Sequence, residues 1–226
     1  IFIGVDVGLQ NTSGNNNIFM GKNAGRQNTQ GEFNINIGTN SGKETTTGDN
    51  NISIGQDSNL NNTDGDNNIA IGKEAGKGIT SKRPGKDNIS IGFQAGLNNS
   101  TNDSIFIGNQ AGKGNILGSS NIYIGKHSGL NSSYGYRNIA IGEDAGKRLD
   151  SNQNSANTNN LELDDYNDIS LLSADLNVSY QNILIGFSAG SNTTSYENLF
   201  IGSESGKANT SGNRNIYIGS KSGINS

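Results

Sequence analysis

Apolar residues along this chain recur in short alternating pairs rather than in long runs. Asn17-Ile18-Phe19-Met20-Gly21 is followed by Asn34-Ile35-Asn36-Ile37-Gly38, and the same core returns along the chain. Its closing glycine falls at Gly4, Gly21, Gly38, Gly55, Gly72, Gly92, Gly108, Gly125, Gly142, Gly186, Gly202 and Gly219, at intervals of 17, 17, 17, 17, 20, 16, 17, 17, 44, 16 and 17 residues. A fixed period of this size predicts stacked repeats. The chain therefore reads as all-β, a parallel β-solenoid or β-roll of about twelve coils.

Number each unit from its Asn, so that Asn17 is position one and Gly21 position five. Positions two and four are almost always Ile, and residues i and i+2 share one face of a strand. β-Branched residues favour that geometry. One short strand per coil is predicted, with its two Ile turned inward. Position three then points outward, where it carries Phe2, Phe19, Phe106, Tyr123, Leu184, Phe200 and Tyr217 among smaller residues. An aligned apolar row left outside marks contact with another chain.

Position nine repeats glycine, and position eight between the two glycines is small (Ala24, Ser41, Ser58, Ala75). This describes a tight corner with positive φ. Its one substitution, Asn59, is a residue that tolerates the left-handed region. Polar positions ten to fourteen predict a second, solvent-facing extended segment, and a third glycine at fifteen leads back to the next Asn. That Asn reads either as a stacked amide ladder or as a tolerant turn residue.

Two breaks interrupt the period. Three extra residues surround the basic stretch Lys82-Arg83-Pro84-Gly85, and the interval of 44 holds one unit and 27 more residues. The predicted organisation is one continuous solenoid, with residues 1–150 as coils one to nine, an acidic insertion at 151–178, and residues 179–226 as coils ten to twelve. The chain begins and stops inside a repeat, as a segment of a longer array would.

Only 30% of residues are hydrophobic, with 33 Gly and one Pro. Scattered, these would resemble a disordered chain; placed periodically, they predict folding. A net charge of −4 and a pI near 5.0 lack the basic stripe that nucleic acid requires. No apolar run approaches the ~20 residues of a membrane helix, so no membrane insertion is expected in this segment. With no cysteine and a single histidine, His127 at the variable position seven, no metal site, cofactor or catalytic residue is predicted.

The insertion gathers Glu162, Asp164, Asp165, Tyr166 and Asp168, a candidate ligand-binding cluster on a loop. Its plainest alternative is a solvated acidic loop. Because paired carboxylates hydrolyse glycosides, a polysaccharide hydrolase acting through this insertion is the competing class. The threonine row Thr12, Thr29, Thr46 and Thr63 raises an ice-binding or monomeric adhesin solenoid, but it is one residue wide and breaks at Ile116 and Asp150.

The unit Asn-Ile-x-Ile-Gly-x-x-Ala-Gly, with Asn-Thr-x-Gly before the next Asn as in Asn62-Thr63-Asp64-Gly65, resembles the 17-residue repeats of phage tail fibres and related bacterial surface proteins. It is also similar to trimeric autotransporter adhesin heads. The resemblance covers every unit except the insertion. It implies a side-by-side homotrimer on a virion or cell surface, outside the cell, meeting a host glycan or protein receptor. On that view the position-three row is the trimer interface. No shared catalytic residue can be carried over, and the chain departs from the autotransporter form in its longer unit and in glycine at position nine.

Overall fold

The computed structural model describes residues 1–79, 85–149 and 180–224. Among them twelve strands form one parallel sheet in sequence order. They are β1 (Phe2–Ile3), β2 (Ile18–Met20), β3 (Ile35–Ile37), β4 (Ile52–Ile54), β5 (Ile69–Ile71), β6 (Ile89–Ile91), β7 (Ile105–Ile107), β8 (Ile122–Ile124), β9 (Ile139–Ile141), β10 (Ile183–Ile185), β11 (Leu199–Ile201) and β12 (Ile216–Ile218). Each pairs with the next one coil along, position for position, as in Ile35↔Ile52 and Ile37↔Ile54. The molecule is the predicted β-solenoid.

Backbone pairing extends well beyond these strands. Outside them, Gly8 N–H donates to Ala24 O, Gln10 to Arg26 O, Thr12 to Thr29 O and Phe33 to Asn15 O. The corners stack as regularly as the strands, which leaves few backbone groups for water to satisfy.

Register also survives the long break. Ile139 pairs with Ile183 and Ile141 with Ile185, and the return is joined by a parallel bridge between Tyr136 and Tyr180. The insertion itself, with Glu162, Asp164, Asp165, Tyr166 and Asp168, lies outside the described residues, as do residues 80–84 of the basic stretch.

The asparagine column is an amide ladder. Backbone N–H of Asn34, Asn51 and Asn68 donates to the side-chain Oδ1 of the Asn one coil before, at 2.8, 2.9 and 3.0 Å. Each Nδ2 turns to the position-fifteen carbonyl, as Asn34 does to Gly48 O at 2.8 Å and Asn51 to Gly65 O at 2.8 Å. At Ser104, the exception in the column, Oγ accepts from Asn121 N–H at 3.2 Å. These side chains are buried, and burial demands such pairing.

In one respect the strand expectation is reversed. Position three faces inward: Phe19, Phe106, Tyr123, Leu184 and Phe200 are fully buried, and Asn36, Ser53, Ala70 and Ser90 are buried beside them. Positions two and four, the isoleucines, face outward and are only partly covered. A strand alternates faces strictly, so an error of one residue in the phase exchanges the whole set. The physical reason is room. The 17-residue coil encloses one ring or a smaller group per turn, flanked by the small position-eight residues Ala24, Ala95 and Ala111 and by position-twelve Asn28 and Asn115, all fully buried. Two branched side chains per coil would not fit.

The rings line up along the interior, with Phe2 stacked on Phe19 and Phe200 on Tyr217 at 5.0 Å, and Phe106 tilted by 33° against Tyr123 at 5.7 Å. Phe2 is exposed and Tyr217 half-buried because each belongs to an end coil of this column.

Candidate functional site

The outward strand face is a continuous apolar surface on the described part of the molecule. Every residue at positions two and four is Ile, Leu or Met. The β-branched side chains suit the pleat, and coil stacking sets them in two straight rows. In mid-column coils these rows are half-buried. Next along the chain, beyond the corner glycine, position six is exposed and mixed. Phe93 and Phe187 stand there at 41% and 49% exposure, among polar residues such as Lys22, Lys73 and Lys126.

Polar columns occupy the corners. Position seven takes positive φ throughout, from Asn23 at 57° to His127 at 58° and Asp144 at 56°. Its side chains run as a hydrogen-bonded file: Asn23 Nδ2 donates to Asn40 Oδ1 at 3.0 Å, and Asn40 Nδ2 to Asp57 Oδ1 at 2.9 Å. Further on, Gln94 Nε2 donates to Glu74 Oε2 at 2.7 Å, and Gln110 Nε2 to Gln94 Oε1 at 2.9 Å. The amide from Gln94 holds the Glu74 carboxyl below its ordinary value, with Lys77 adding to the effect and burial opposing it.

His127 belongs to this file. Its Nδ1 lies 3.2 Å from Asp144 Oδ1, and Lys147 Nζ reaches the same oxygen at 3.1 Å. The imidazole is thus tied to the next coil through Asp144 as one member of this file. Among the described residues no three of His, Cys, Asp and Glu gather as a metal site, and no helix is long and apolar enough to cross a membrane.

The threonine row is also structural. Hydroxyls of Thr12, Thr29 and Thr46 donate to the carbonyl oxygens of Thr29, Thr46 and Thr63 at 2.9, 3.1 and 2.9 Å. They are committed to the ladder rather than presented as a plane of free hydroxyls.

One aromatic cluster lies outside the core. Tyr136, Tyr180 and Tyr196, each two residues before an Asn of the ladder (Asn138, Asn182 and Asn198), stack at 5.3 and 4.8 Å. Burial raises the Tyr180 hydroxyl above its usual value, and the neighbouring phenols push the same way.

Of the residues predicted to form an interface, Phe19, Phe106, Tyr123, Leu184 and Phe200 are sealed inside their own coils. They cannot touch a partner, and Phe2 and Tyr217 belong to the same internal column. That expectation is corrected: the apolar face offered outward is the isoleucine face, which the sequence reading placed inside. The signal that could have found it is a size match. Position nine is glycine where position three is a ring, whereas Asn59, the exception at nine, shares its coil with Ser53.

Comparison of the chain with family models, with curated proteins and with solved structures finds no match. The repeat architecture therefore rests on the coordinates, and function on the surface.

Proposed function

We propose that this chain is a rigid, non-catalytic segment of a trimeric surface fibre, of the kind found in phage tail fibres or bacterial adhesins, serving outside the cell as spacer and attachment surface. The observation that carries this reading is the unbroken register of β1 to β12, kept even across the insertion by the Ile139↔Ile183 pairing. Stacking strands at ~4.8 Å makes a rod of roughly 55 Å. Its interior is filled by rings, small residues and an amide ladder. Outward polar columns are tied coil to coil, as suits a shaft or a display surface. The hydrolase reading depends on the acidic insertion and gains no support from the described residues.

The test combines light scattering, small-angle X-ray scattering and a glycan-degradation assay on the purified chain. Expected are a mass three times the 23.7 kDa of one chain, an elongated scattering profile and no release of reducing ends from host-surface polysaccharide. A compact particle would sink the fibre reading, and sustained glycan cleavage would move the chain to the hydrolases.

A further inference from the structure

We infer that the outward isoleucine face is where copies of this chain meet, parallel and in register; this rests on the fibre reading above and names its contact surface. Three observations carry it.

The first is composition. Positions two and four hold only Ile, Leu and Met in every coil, while the polar residues lie at the corners. Stacking within the chain accounts for β-branched residues in these rows, but not for the absence of any polar residue from a face that stays half exposed.

The second is size. Two rows about 7 Å apart along the strand, with their side-chain width, over roughly 55 Å of stacked coils give a face of about 600 Å². That is at the upper end for a monomer's largest apolar patch, ~300–600 Å². Counted for one chain against all its neighbours, it is smaller than the ~800 Å² per partner of a standard interface, and the exposed rings of Phe93 and Phe187 add to it.

The third is pitch. Ile tips repeat once per coil, in register from Ile18↔Ile35 to Leu199↔Ile216. A second copy, running the same way, presents the same repeat and can interdigitate along the whole length. A partner without that spacing meets the face only locally.

The experiment compares the wild type with Ile107→Asp/Ile124→Asp and with a control at exposed position fourteen, Gln30→Asp/Thr47→Asp. Light scattering gives the mass of each, and circular dichroism reports the fold. The wild type and control should have the mass of three chains, and the isoleucine variant that of one, with an unchanged β spectrum. A milder pair, Ile107→Thr/Ile124→Thr, should shift the assembly midpoint at least tenfold if the Asp variant does not fold.

The chain has no cysteine, so Ile122→Cys/Ile124→Cys should form inter-chain disulfides on oxidation, whereas Gln30→Cys should not. An assembled wild type that is indifferent to the Ile changes and forms no such cross-link overturns this face and leaves the fibre reading standing. A dimer dissolved by them keeps the face and removes the three-fold assembly. A wild-type monomer sinks both, and isoleucine-dependent binding of that monomer to phosphatidylcholine vesicles would reassign the face to lipid.

Discussion

An ideal Cβ on Gly25 would stand 2.5 Å from Cε2 of Phe19. The second corner glycine is thus the cradle of the interior ring as well as a left-handed corner at φ 55°. In the coil of Ser53, where no ring is present, Asn59 takes the same corner at φ 49° and is itself buried. The two columns exchange volume.

That exchange predicts a double-mutant result. Gly25→Ala should cost ~1–3 kcal/mol by overpacking, and Phe19→Ser about 3–5 kcal/mol through the cavity it leaves. Phe19→Ser/Gly25→Asn, which copies the Ser53 and Asn59 coil, should cost at least ~1 kcal/mol less than the sum of the Phe19→Ser and Gly25→Asn costs. Urea denaturation of the four proteins measures it, and strict additivity would show that the columns do not share space.

Position five is governed by backbone rather than by a ring. Gly38 has φ 129°, and a Cβ there would lie 2.7 Å from Gly55 O in the next coil. Gly38→Val should destabilise by several kcal/mol through strain and clash. Thr39→Val, at an exposed neighbour, should stay within about 0.5 kcal/mol. Similar midpoints for the two would remove this account of the corner.

The amide ladder makes a graded prediction. Asn51 accepts from Asn68 N–H at 3.0 Å and donates to Gly65 O at 2.8 Å, so Asn51→Leu leaves the buried Asn68 N–H unmet and Gly65 O with only the longer bond from Asn62 Nδ2 at 3.5 Å. The expected cost is ~2–5 kcal/mol. Asn51→Ser should cost less, because Ser104 already serves this column through its hydroxyl. Thermal melts giving Leu and Ser equal effects would count against the ladder.

Glu74 supplies a pH dependence. Its carboxyl is held below the usual 4.5 chiefly by the amide of Gln94, so the folded chain binds this proton more weakly than the unfolded one. The resulting stability is complete above pH 4.5 and is lost as pH falls through the lower, folded value. Glu74→Gln should therefore differ from wild type by a constant of up to ~1 kcal/mol at neutral pH, narrowing below pH 4.5. A gap that widens on acidification would reverse the assignment.

Much of this was legible in the chain. The spacing from Gly4 to Gly219 determined the coil count, the strand positions and the parallel stacking, because a solenoid pairs each residue with the one a period away. Gly38 and Gly25 declared the corners: few other residues reach φ 129°, and the left-handed backbone at φ 55° is entered most readily by glycine. Periodicity could not decide the phase. Ile-x-Ile is compatible with either face inward, and hydrophobicity favoured the wrong one. Nor could it distinguish an amide ladder from a tolerant turn at Asn51, or reveal left-handed backbone at Asn23 and His127, because neither choice alters the repeat. Those were decided by the closed coil: its lumen admits the single ring of Phe19 against Gly25 and turns Ile18 and Met20 out. Sequence spacing specifies which residues stack on which, but the volume inside one turn specifies which of them are inside.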